Sequence, residues 1–258
     1  MKIITWNVNS VRARQDRLLA LLARHAPDVI CLQELKVEAS LFPWLEIRSA
    51  GYHAVVHGQK SYNGVAILSR QEPADVRVGL DDGVDDPQAR LISARIEGIR
   101  VFSAYVPNGA EPESPKFDYK KSWMARLAAK LRAEHSAAEP IALCGDFNVA
   151  PTDLDVRNVD RWAGTVICHP AARGALEEIR AFGLEDSLRR LNPTEGNLYS
   201  YWDYQQLAFP KNDGIRIDHI DVTAPLAARL RDVRIDRDER KGKQPSDHAP
   251  VIATFDAA

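Results

Sequence analysis

Short apolar runs alternate with longer amphipathic segments along the chain, which is the pattern of an α/β protein. Residues 3–6 form the first strand-like run, and residues 11–25 carry leucines on one face, as an amphipathic helix does. Residues 28–33 return as a continuous apolar run, which predicts a strand buried on both faces. The first unit is therefore predicted to be strand, helix, strand. If its strands are parallel, their carboxyl ends lie at the same edge of a sheet.

Similar runs continue through both halves of the chain. Further strands are predicted at residues 52–56, 65–68, 76–78, 89–97, 100–106, 140–144, 215–222 and 251–255. Further helices are predicted at residues 41–50, 116–135 and 174–182. The recurrence of buried strands in both halves predicts an α/β (α+β) fold of two mixed β-sheets packed face to face, with helices outside. We expect residues 1–258 to form a single domain.

Composition and charge narrow the class of protein only slightly. A hydrophobic content of 45% is enough for a buried core, and a formal net charge of −2 means that a nucleic-acid partner has to be argued from local patches. The segment around Lys2 has no apolar signal region and no run approaches membrane-spanning length, so we expect a cytoplasmic protein without membrane contact. Cys31, Cys144 and Cys168 show no C-x-x-C spacing, which favours free buried thiols.

Polar side chains follow the ends of several predicted strands. These residues are Asn7, Glu34, Asn108, Asp146, Asn148 and Asp218. The pair Asp247-His248 precedes the last strand, and a carboxylate beside an imidazole can orient and charge the ring, although such a pair on its own is more often a solvated loop. Converging carboxylates and amides would build an oxygen-rich site for a hard divalent cation.

Two basic features could contact phosphates. The loop at residues 58–64 has Lys60 near its tip, which suits either a phosphate-backbone contact or an ordinary polar hairpin. The long predicted helix begins with Lys116, Lys120 and Lys121. A basic helix start suits phosphates, although a solvated helical face is the commoner meaning.

Five short motifs follow one another along the chain. They are Trp6-Asn7-Val8-Asn9, Leu32-Gln33-Glu34-Leu35-Lys36, Gly145-Asp146-Phe147-Asn148, Arg216-Ile217-Asp218 and Pro245-Ser246-Asp247-His248-Ala249-Pro250. Each motif alone is a weak signal, but five in order are strong. In order and rough spacing the chain resembles the exonuclease III and abasic-site endonuclease family of DNA-repair phosphoesterases over nearly its whole length. The resemblance implies a four-layer α/β sandwich, the pancreatic-DNase-like fold.

The resemblance also implies a Mg²⁺ site, at which Mn²⁺ can substitute. Glu34 is the expected principal ligand. The residues assigned to this metal site are Asn7, Glu34, Asp146, Asn148, Asp247 and His248. Mg²⁺ prefers a few carboxylates together with phosphate oxygens of the substrate, so an incomplete protein cage suits it.

A catalytic set around the scissile phosphate follows from the same resemblance. It consists of Tyr105, Asp146, Asn148, Asp218, Asp247 and His248. Because a phosphodiester is an anion attacked by water, the site has to activate water and offset developing negative charge. Asp146 is the favoured base, with His248 as the alternative, and Asp247 is expected to orient His248. Asp218 is either the family carboxylate near this histidine or a structural hydrogen-bond acceptor.

The resemblance also implies contacts with DNA. The residues expected to bind DNA are Lys60, Asn63, Asn108, Lys116, Tyr201, Trp202 and Arg216. Tyr201 and Trp202 match the family's aromatic pair, with Tyr in place of Trp at the first position, and would wall a pocket for the sugar of a terminal or extruded nucleotide. Without the motif order, an aromatic-rich strand is more often part of a core. The implied partner is double-stranded DNA with 3′ ends, nicks or gaps, bound by a monomer.

His169 stands where exonuclease III has a small Ser. One interpretation is an ordinary surface-loop histidine. The other is a residue that gates the substrate: its imidazole would occupy space needed by an intact strand carrying a flipped abasic sugar. In that case 3′-phosphate removal and 3′→5′ trimming remain, while abasic cleavage is weak.

The expected function is therefore that of a Mg²⁺-dependent DNA-repair phosphoesterase acting at 3′ ends, as a 3′→5′ exonuclease and 3′-phosphatase or 3′-phosphodiesterase. A full abasic-site endonuclease of the same family is the first alternative. More remote alternatives are a phosphoesterase for inositol phosphates or phospholipids and a non-catalytic nucleic-acid-binding module.

Overall fold

A computed structural model describes residues 1–257. Its strands are β1 (Lys2–Asn7), β2 (Val29–Gln33), β3 (His53–His57), β4 (Val65–Ser69), β5 (Ala74–Val78), β6 (Leu91–Ile96), β7 (Ile99–Tyr105), β8 (Ile141–Asp146), β9 (Leu184–Asp186), β10 (Asp218–Thr223), β11 (Leu230–Ile235) and β12 (Val251–Phe255). Its α-helices are α1 (Gln15–His25), α2 (Trp44–Ser49), α3 (Pro115–Glu134), α4 (Val159–Trp162), α5 (Pro170–Arg180), α6 (Ser187–Leu191) and α7 (Ala224–Ala227). Short 3₁₀ turns occur at Ala39–Leu41, Asp153–Asp155 and Arg237–Arg240.

The strands form two six-stranded mixed sheets. The first has the order β11-β12-β1-β2-β4-β3, and the second has the order β5-β6-β7-β8-β10-β9. The pairs β1–β2 and β7–β8 are parallel, whereas the other neighbours are antiparallel. Each sheet therefore has a parallel pair at its centre. The carboxyl ends of the two strands in each pair lie at the same edge of that sheet.

Three apolar layers hold the sheets and helices together. Apolar residues from both sheets, such as Ile3, Cys144 and Ile220, form one buried cluster between them. A second cluster lies between the first sheet and α1 and α2, and a third lies between the second sheet and α3 and α5. Helix, sheet, sheet and helix thus form four layers, which confirms the predicted architecture.

Element boundaries differ from the predictions where caps and turns intervene. Helix α1 begins at Gln15 instead of Val11, because residues 11–14 form turns. Helix α5 begins at Pro170 instead of Gly174, since His169 caps it and proline suits the first helical position. Strand β10 begins at Asp218, because Ile215 pairs in isolated bridges outside the ladder.

The strand register brings the predicted polar residues to one edge of the sandwich. Asn7 ends β1 opposite Gln33 of β2, and Glu34 follows directly. In the second sheet, Asp146 of β8 lies opposite Tyr105 of β7 and opposite Asp218 of β10. Chain ends from both sheets therefore meet at one place.

All three cysteines are buried and free of disulfides, as predicted. Among residues 1–257, no helix has the length and apolar content needed to cross a membrane.

Candidate active site

Three titratable side chains form the centre of the site. Ligand atoms of Glu34, Asp146 and His248 lie within 4.8 Å of one another, although the residues come from distant parts of the chain. Nε2 of His248 is 3.8 Å from Oδ2 of Asp146. All three are enclosed, with only Glu34 partly exposed. The arrangement confirms that the strand ends converge.

Asn7 joins the two carboxylates. Its amide nitrogen donates to Oε1 of Glu34 at 3.0 Å and to Oδ2 of Asp146 at 2.9 Å, while its oxygen accepts from the backbone N–H of Asn9. An amide nitrogen carries no lone pair for a cation. The nitrogen of Asn7 therefore holds the two carboxylates in place across the sheets. Its oxygen accepts one hydrogen bond and has a second lone pair, so its assignment as a metal ligand stays a prediction.

His248 is oriented by Asp218. Nδ1 of the ring lies 2.8 Å from Oδ2 of Asp218, and the same oxygen accepts a 2.6 Å hydrogen bond from the hydroxyl of Ser200. The prediction that Asp247 orients His248 is wrong. The chain bends at Asp247, whose carboxylate turns toward Asn9 and away from the ring.

Asp247 instead faces the exposed rim. Its Oδ1 accepts from the side-chain amide of Asn9 at 2.9 Å, and it lies outside the cluster of Glu34, Asp146 and His248. Neither a metal-ligand role nor contact with the histidine ring is supported for Asp247. Its position next to Asn9 places it at the edge of the site.

Protonation states in the cluster follow from burial and neighbouring charge. Burial raises the pKa of Asp146 to about 7, against the favourable charge of His248. Burial opposes charge on His248 too, but Asp218 and Asp146 outweigh it and raise the pKa of this ring to about 10. Burial also opposes the charge of Glu34, whereas donors from Asn7 and Lys36 lower its pKa overall. Near neutral pH the site thus holds an imidazolium beside a carboxylate able to accept a proton.

Tyr105 is a hydrogen-bond donor within this cluster. Its hydroxyl donates to Oε1 of Glu34 at 2.8 Å. Burial, followed by the charge of Glu34, raises the pKa of Tyr105 well above its usual range. The hydroxyl therefore stays protonated, which leaves donation, and not ionisation, as its role.

The asparagine pair lies on the other side of Asp146. Nδ2 of Asn108 donates to Oδ1 of Asn148 at 3.0 Å, and Nδ2 of Asn148 donates to the carbonyl of Val106 at 3.0 Å. The backbone N–H of Asn148 donates to Oδ1 of Asp146 at 2.9 Å. Because an amide has two N–H groups, Asn148 keeps one for a substrate. Its oxygen accepts one hydrogen bond, from Asn108, and keeps a second lone pair, so the assignment of Asn148 as a metal ligand stays a prediction.

The donor set fits a hard divalent cation. Glu34 and Asp146 supply carboxylate oxygens, the ligands that such ions prefer. The hydrogen bond to Asp218 and the raised pKa of His248 favour a protonated ring, which would act as a charged donor. Its ring nitrogen nevertheless lies with the two carboxylates, so its assignment as a ligand stays a prediction. Few protein ligands and a nearby substrate-binding surface suit an ion that completes its shell with phosphate oxygens and water.

The two predicted aromatic residues have different environments. The ring of Tyr201 packs edge-on against His248, with centroids 5.0 Å apart, and is half-buried. Trp202 is only 1% exposed, and its indole N–H donates to Asn212 inside a separate apolar cluster. Tyr201 thus borders the site, whereas the prediction that Trp202 walls an open pocket is wrong, because the ring completes a core.

Two other predicted DNA contacts point inward. Arg216 is 1% exposed and forms ion pairs with Asp155 and Asp186. Asn63 is buried in its loop, where its amide donates to Gln59 at 3.0 Å. Both side chains already use their donors within the protein, so neither is available to DNA and both assignments are corrected.

Exposed basic side chains lie on both sides of the carboxylate cluster. Lys60 lines one concave surface with Arg12 and Lys36, and Nζ of Lys36 is 3.0 Å from Oε2 of Glu34. Another concave surface is lined by exposed Lys116 and largely buried Arg90, together with Asn108, whose amide donates to Asn148. These surfaces could bind phosphates on either side of the cluster.

His169 is held at the start of α5. Its Nδ1 accepts from the backbone N–H of Ala171 at 3.1 Å, and its ring packs edge-on against Phe117, with centroids 4.8 Å apart. Phe117 also lies against Gly109, where an added Cβ would come within 3.2 Å of it. The ring is therefore fixed beside the loop that carries Asn108.

Three contributors to the site were not among the predicted site residues. One of them, Lys120, was expected in a basic helix start that suits phosphates, but its side chain is buried. Lys36 pairs with Glu34, and Ser200 donates to Asp218. Nζ of Lys120 donates to the backbone carbonyls of the asparagine pair. Lys36 lies within a recognised motif, so its spacing from Glu34 was a usable signal. Ser200 carried no signal of its own.

The chain is similar to known proteins in both sequence and structure. The model of the Endonuclease/Exonuclease/phosphatase family matches residues 4–248. Exodeoxyribonuclease III of Haemophilus influenzae is 41% identical over 266 aligned positions, covering 99% of this chain and 100% of the relative. An AP endonuclease structure from Archaeoglobus fulgidus has 41% identity and a TM-score of 0.96, and the 3′ phosphatase NExo from Neisseria, bound to a product DNA hairpin, has 43% identity and a TM-score of 0.96; each match covers 100% of both chains. The chain therefore belongs to the Endonuclease/Exonuclease/phosphatase family.

Proposed function

We propose that this chain is a divalent-metal-dependent DNA-repair phosphoesterase that hydrolyses phosphate esters at DNA 3′ ends, as a 3′→5′ exonuclease and 3′-phosphatase. The observation that carries the proposal is the buried group of Glu34, Asp146 and His248 at the edge of the sandwich. This group combines a carboxylate able to accept a proton with an imidazolium that can bind an anion. Phosphate-ester hydrolysis needs both functions.

Asp146 accepts the proton of the attacking water. Its pKa of about 7 lies near the operating pH, whereas His248, with a pKa of about 10, already holds its proton. His248, held by Asp218, donates to the phosphoryl oxygens, and the free amide N–H of Asn148 donates beside it. These donors stabilise the charge that develops during attack.

Mg²⁺ is the proposed cofactor, with Mn²⁺ as a substitute. Glu34 and Asp146 would hold it. The ion supplies electrostatic stabilisation of negative charge on the phosphoryl and leaving oxygens. Lys36 and Tyr105 position Glu34 through hydrogen bonds to its two oxygens.

Lys60 and Lys116 bind the DNA backbone on either side of the cluster, and Tyr201 packs against the terminal sugar. Because both sheets contribute to the cluster, residues 1–258 act as one domain. We propose that the chain works as a monomer in the cytoplasm, on duplexes with 3′ ends, nicks or gaps.

A panel of defined substrates tests the function. The protein is incubated with 3′-recessed, 3′-phosphorylated and internal abasic duplexes, and with an inositol phosphate, in Mg²⁺ or in chelator. Trimming and phosphate release in Mg²⁺ but not in chelator support the proposal. Inositol phosphate hydrolysis without DNA hydrolysis would point to the other phosphoesterase class, and DNA binding without hydrolysis to a binding module.

His169 decides between the two candidate DNA activities. The structural relatives include both an AP endonuclease and a 3′ phosphatase, so overall similarity does not choose between them. We propose that the fixed imidazole of His169, beside Phe117 and the loop of Asn108, narrows the space for an intact strand. Abasic cleavage is then weak compared with reactions at 3′ ends.

Replacing His169 with Ser removes the ring but keeps a residue able to cap α5. We expect incision of an internal abasic duplex to rise at least about tenfold, which corresponds to a barrier lower by about 1.4 kcal/mol. The 3′-phosphatase activity should change little, because a 3′ end does not need the space that the imidazole occupies. His169→Asn, which caps with a larger side chain, is the matched comparison. If neither variant incises the abasic duplex faster than the wild type, His169 does not gate the substrate and is an ordinary surface-loop histidine.

A further inference from the structure

A buried lysine joins two asparagines of the candidate site through their backbone carbonyls. Lys120 in α3 is 0% exposed. Its Nζ donates to the carbonyl oxygen of Asn108 at 3.0 Å and to that of Asn148 at 2.6 Å. Burial of an ammonium group is unfavourable unless its donors are used, and here two of them bridge loops that are far apart in sequence.

The same two asparagines are joined through their side chains. Nδ2 of Asn108 donates to Oδ1 of Asn148, whose own Nδ2 donates to the carbonyl of Val106. Lys120 therefore fixes the backbones of the pair, while the amides fix the orientation of the side chains. Only one N–H of Asn148 is left to face the substrate.

The backbone at Asn148 adopts an uncommon conformation. Its φ of 50° lies in the left-handed region, which a non-glycine residue occupies at some cost in conformational energy. Lys120 holds the carbonyl of Asn148, and Nε2 of His219 lies 3.1 Å from the next carbonyl, that of Val149. Two consecutive carbonyls of the loop are thus held by buried side chains.

We infer that Lys120 is a positioning residue, which acts through Asn148 to hold its remaining amide N–H toward the phosphoryl group. This inference rests on the proposed function of the site. Two carbonyl acceptors require only two N–H donors, which an amine supplies whether charged or neutral. The contribution of Lys120 is therefore geometric: its loss would let the Asn108 and Asn148 loops move relative to Asp146.

Lys130 provides a matched control on the same helix. It is also buried, at 5% exposure, and its Nζ donates to the carbonyl of Leu80 at 2.9 Å, far along α3 from the asparagine pair. Lys120→Met is expected to lower kcat for 3′-phosphate release roughly 10- to 100-fold with KM changed less than about threefold, because small misplacements of a group in the transition state have effects of this size. Lys130→Met should change kcat less than about twofold.

A double-mutant cycle with Asn148→Ala separates positioning from general destabilisation. If Lys120 acts through Asn148, Lys120→Met lowers single-turnover rates less than about twofold in the Asn148→Ala background. An equal loss in both backgrounds, or wild-type kcat in folded Lys120→Met, would overturn the inference. If Lys120→Met does not fold, Lys120→Gln carries the same cycle. An inactive wild-type protein would contradict the proposed function instead, before any variant is compared.

Discussion

At the scale of single residues, the site separates two groups that sequence reasoning could not. Asp146 and His248 were both candidates for the base that activates water. Burial raises the pKa of Asp146 to about 7, whereas the carboxylate of Asp218 keeps His248 protonated by raising its pKa to about 10. An imidazolium cannot accept a proton, so these shifts support the proposal that Asp146 is the base and His248 the electrostatic donor.

The pH dependence of kcat tests this division. Because the base must be ionised, kcat should rise with pH up to the pKa of Asp146, at or below about pH 7, since a bound cation also favours the ionised carboxylate. Asp146→Asn is expected to lower kcat by about 10²- to 10⁴-fold and to abolish this rising limb. His248→Gln should lower kcat but keep the limb. A limb that survives in Asp146→Asn and disappears in His248→Gln would make His248 the base.

A second prediction concerns the partner of His248. Asp218 accepts the hydrogen bond from the ring, whereas Asp247 accepts one from Asn9. Asp218→Asn removes the charge that favours the imidazolium, so the pKa of His248 should fall and kcat should drop at least about tenfold. Asp247→Asn should have the smaller effect on both quantities. NMR titration of the His248 ring measures the pKa, and a larger fall in Asp247→Asn would contradict the assignment.

At the scale of elements, the parallel pair of β7 and β8 sets the position of Asp146, the proposed base. Asp146 is the last residue of β8, and Gly145 precedes it where the two strands approach closely. A Cβ at Gly145 would lie 1.9 Å from the carbonyl oxygen of Ala104 in β7. Only glycine permits this approach, so the register that aligns Asp146 with Tyr105 depends on it.

Gly145→Ala is therefore expected to reduce the free energy of unfolding by about 3 kcal/mol or more, because backbone atoms cannot move aside as a flexible side chain can. Gly174→Ala in the interior of α5 is the control, since an added Cβ there meets no atom within 4 Å. It should stabilise the protein by about 0.5–1 kcal/mol. Urea denaturation measures both. Comparable stability of the two variants would show that β7 and β8 can separate without cost.

At the scale of the whole molecule, a buried ion-pair network joins parts of the chain that carry the site. Asp155 forms ion pairs with Arg189 of α6 and Arg216 before β10, and Arg216 also pairs with Asp186 of β9. Arg216 reaches Nδ1 of His219 as well. The network thus connects the loop after β8 to the strand that bears Asp218.

Asp155→Asn tests the stability contribution of this network. Burial alone would raise the pKa of Asp155, but Arg216 and Arg189 lower it from 3.8 to about 2. Because the folded-state pKa is lower than the ordinary value of 3.8, ionised Asp155 stabilises the fold at pH values above 3.8. This stabilisation is lost as the pH falls from 3.8 toward 2. The variant should lose roughly 3–5 kcal/mol at pH 7, and the difference from wild type should shrink below about pH 4.

Asp153→Asn is the matched control for Asp155→Asn. Asp153 belongs to the same 3₁₀ turn, but its ion pair with Arg173 is solvent-exposed. Exposed pairs contribute at most about 1 kcal/mol, so this variant should unfold almost as the wild type does. A pH-independent difference for Asp155→Asn would mean that packing, and not its charge, accounts for the loss.

Local pattern was enough to predict the architecture and the convergence of polar strand ends. Apolar runs and helical periodicity depend on neighbours a few residues away, so they can be recognised without coordinates. The motif around Glu34 and the Gly145-Asp146-Phe147-Asn148 motif lie directly at strand ends, where topology brings side chains to one edge. Lys120 was within reach too, because its spacing from Phe117, Met124 and Leu127 places it on the inward stripe of α3.

The sequence by itself therefore determined two sheets with helices outside, an acidic site at one edge and the members Glu34, Asp146 and His248. Only the tertiary structure decided the pairings: Asp218, thirty residues away, holds His248, while Asp247 turns toward Asn9. The physical reason is that hydrogen bonds and burial depend on distance in space. Side chains adjacent in sequence can face different partners where the chain bends, whereas strands from different parts of the chain bring their ends together.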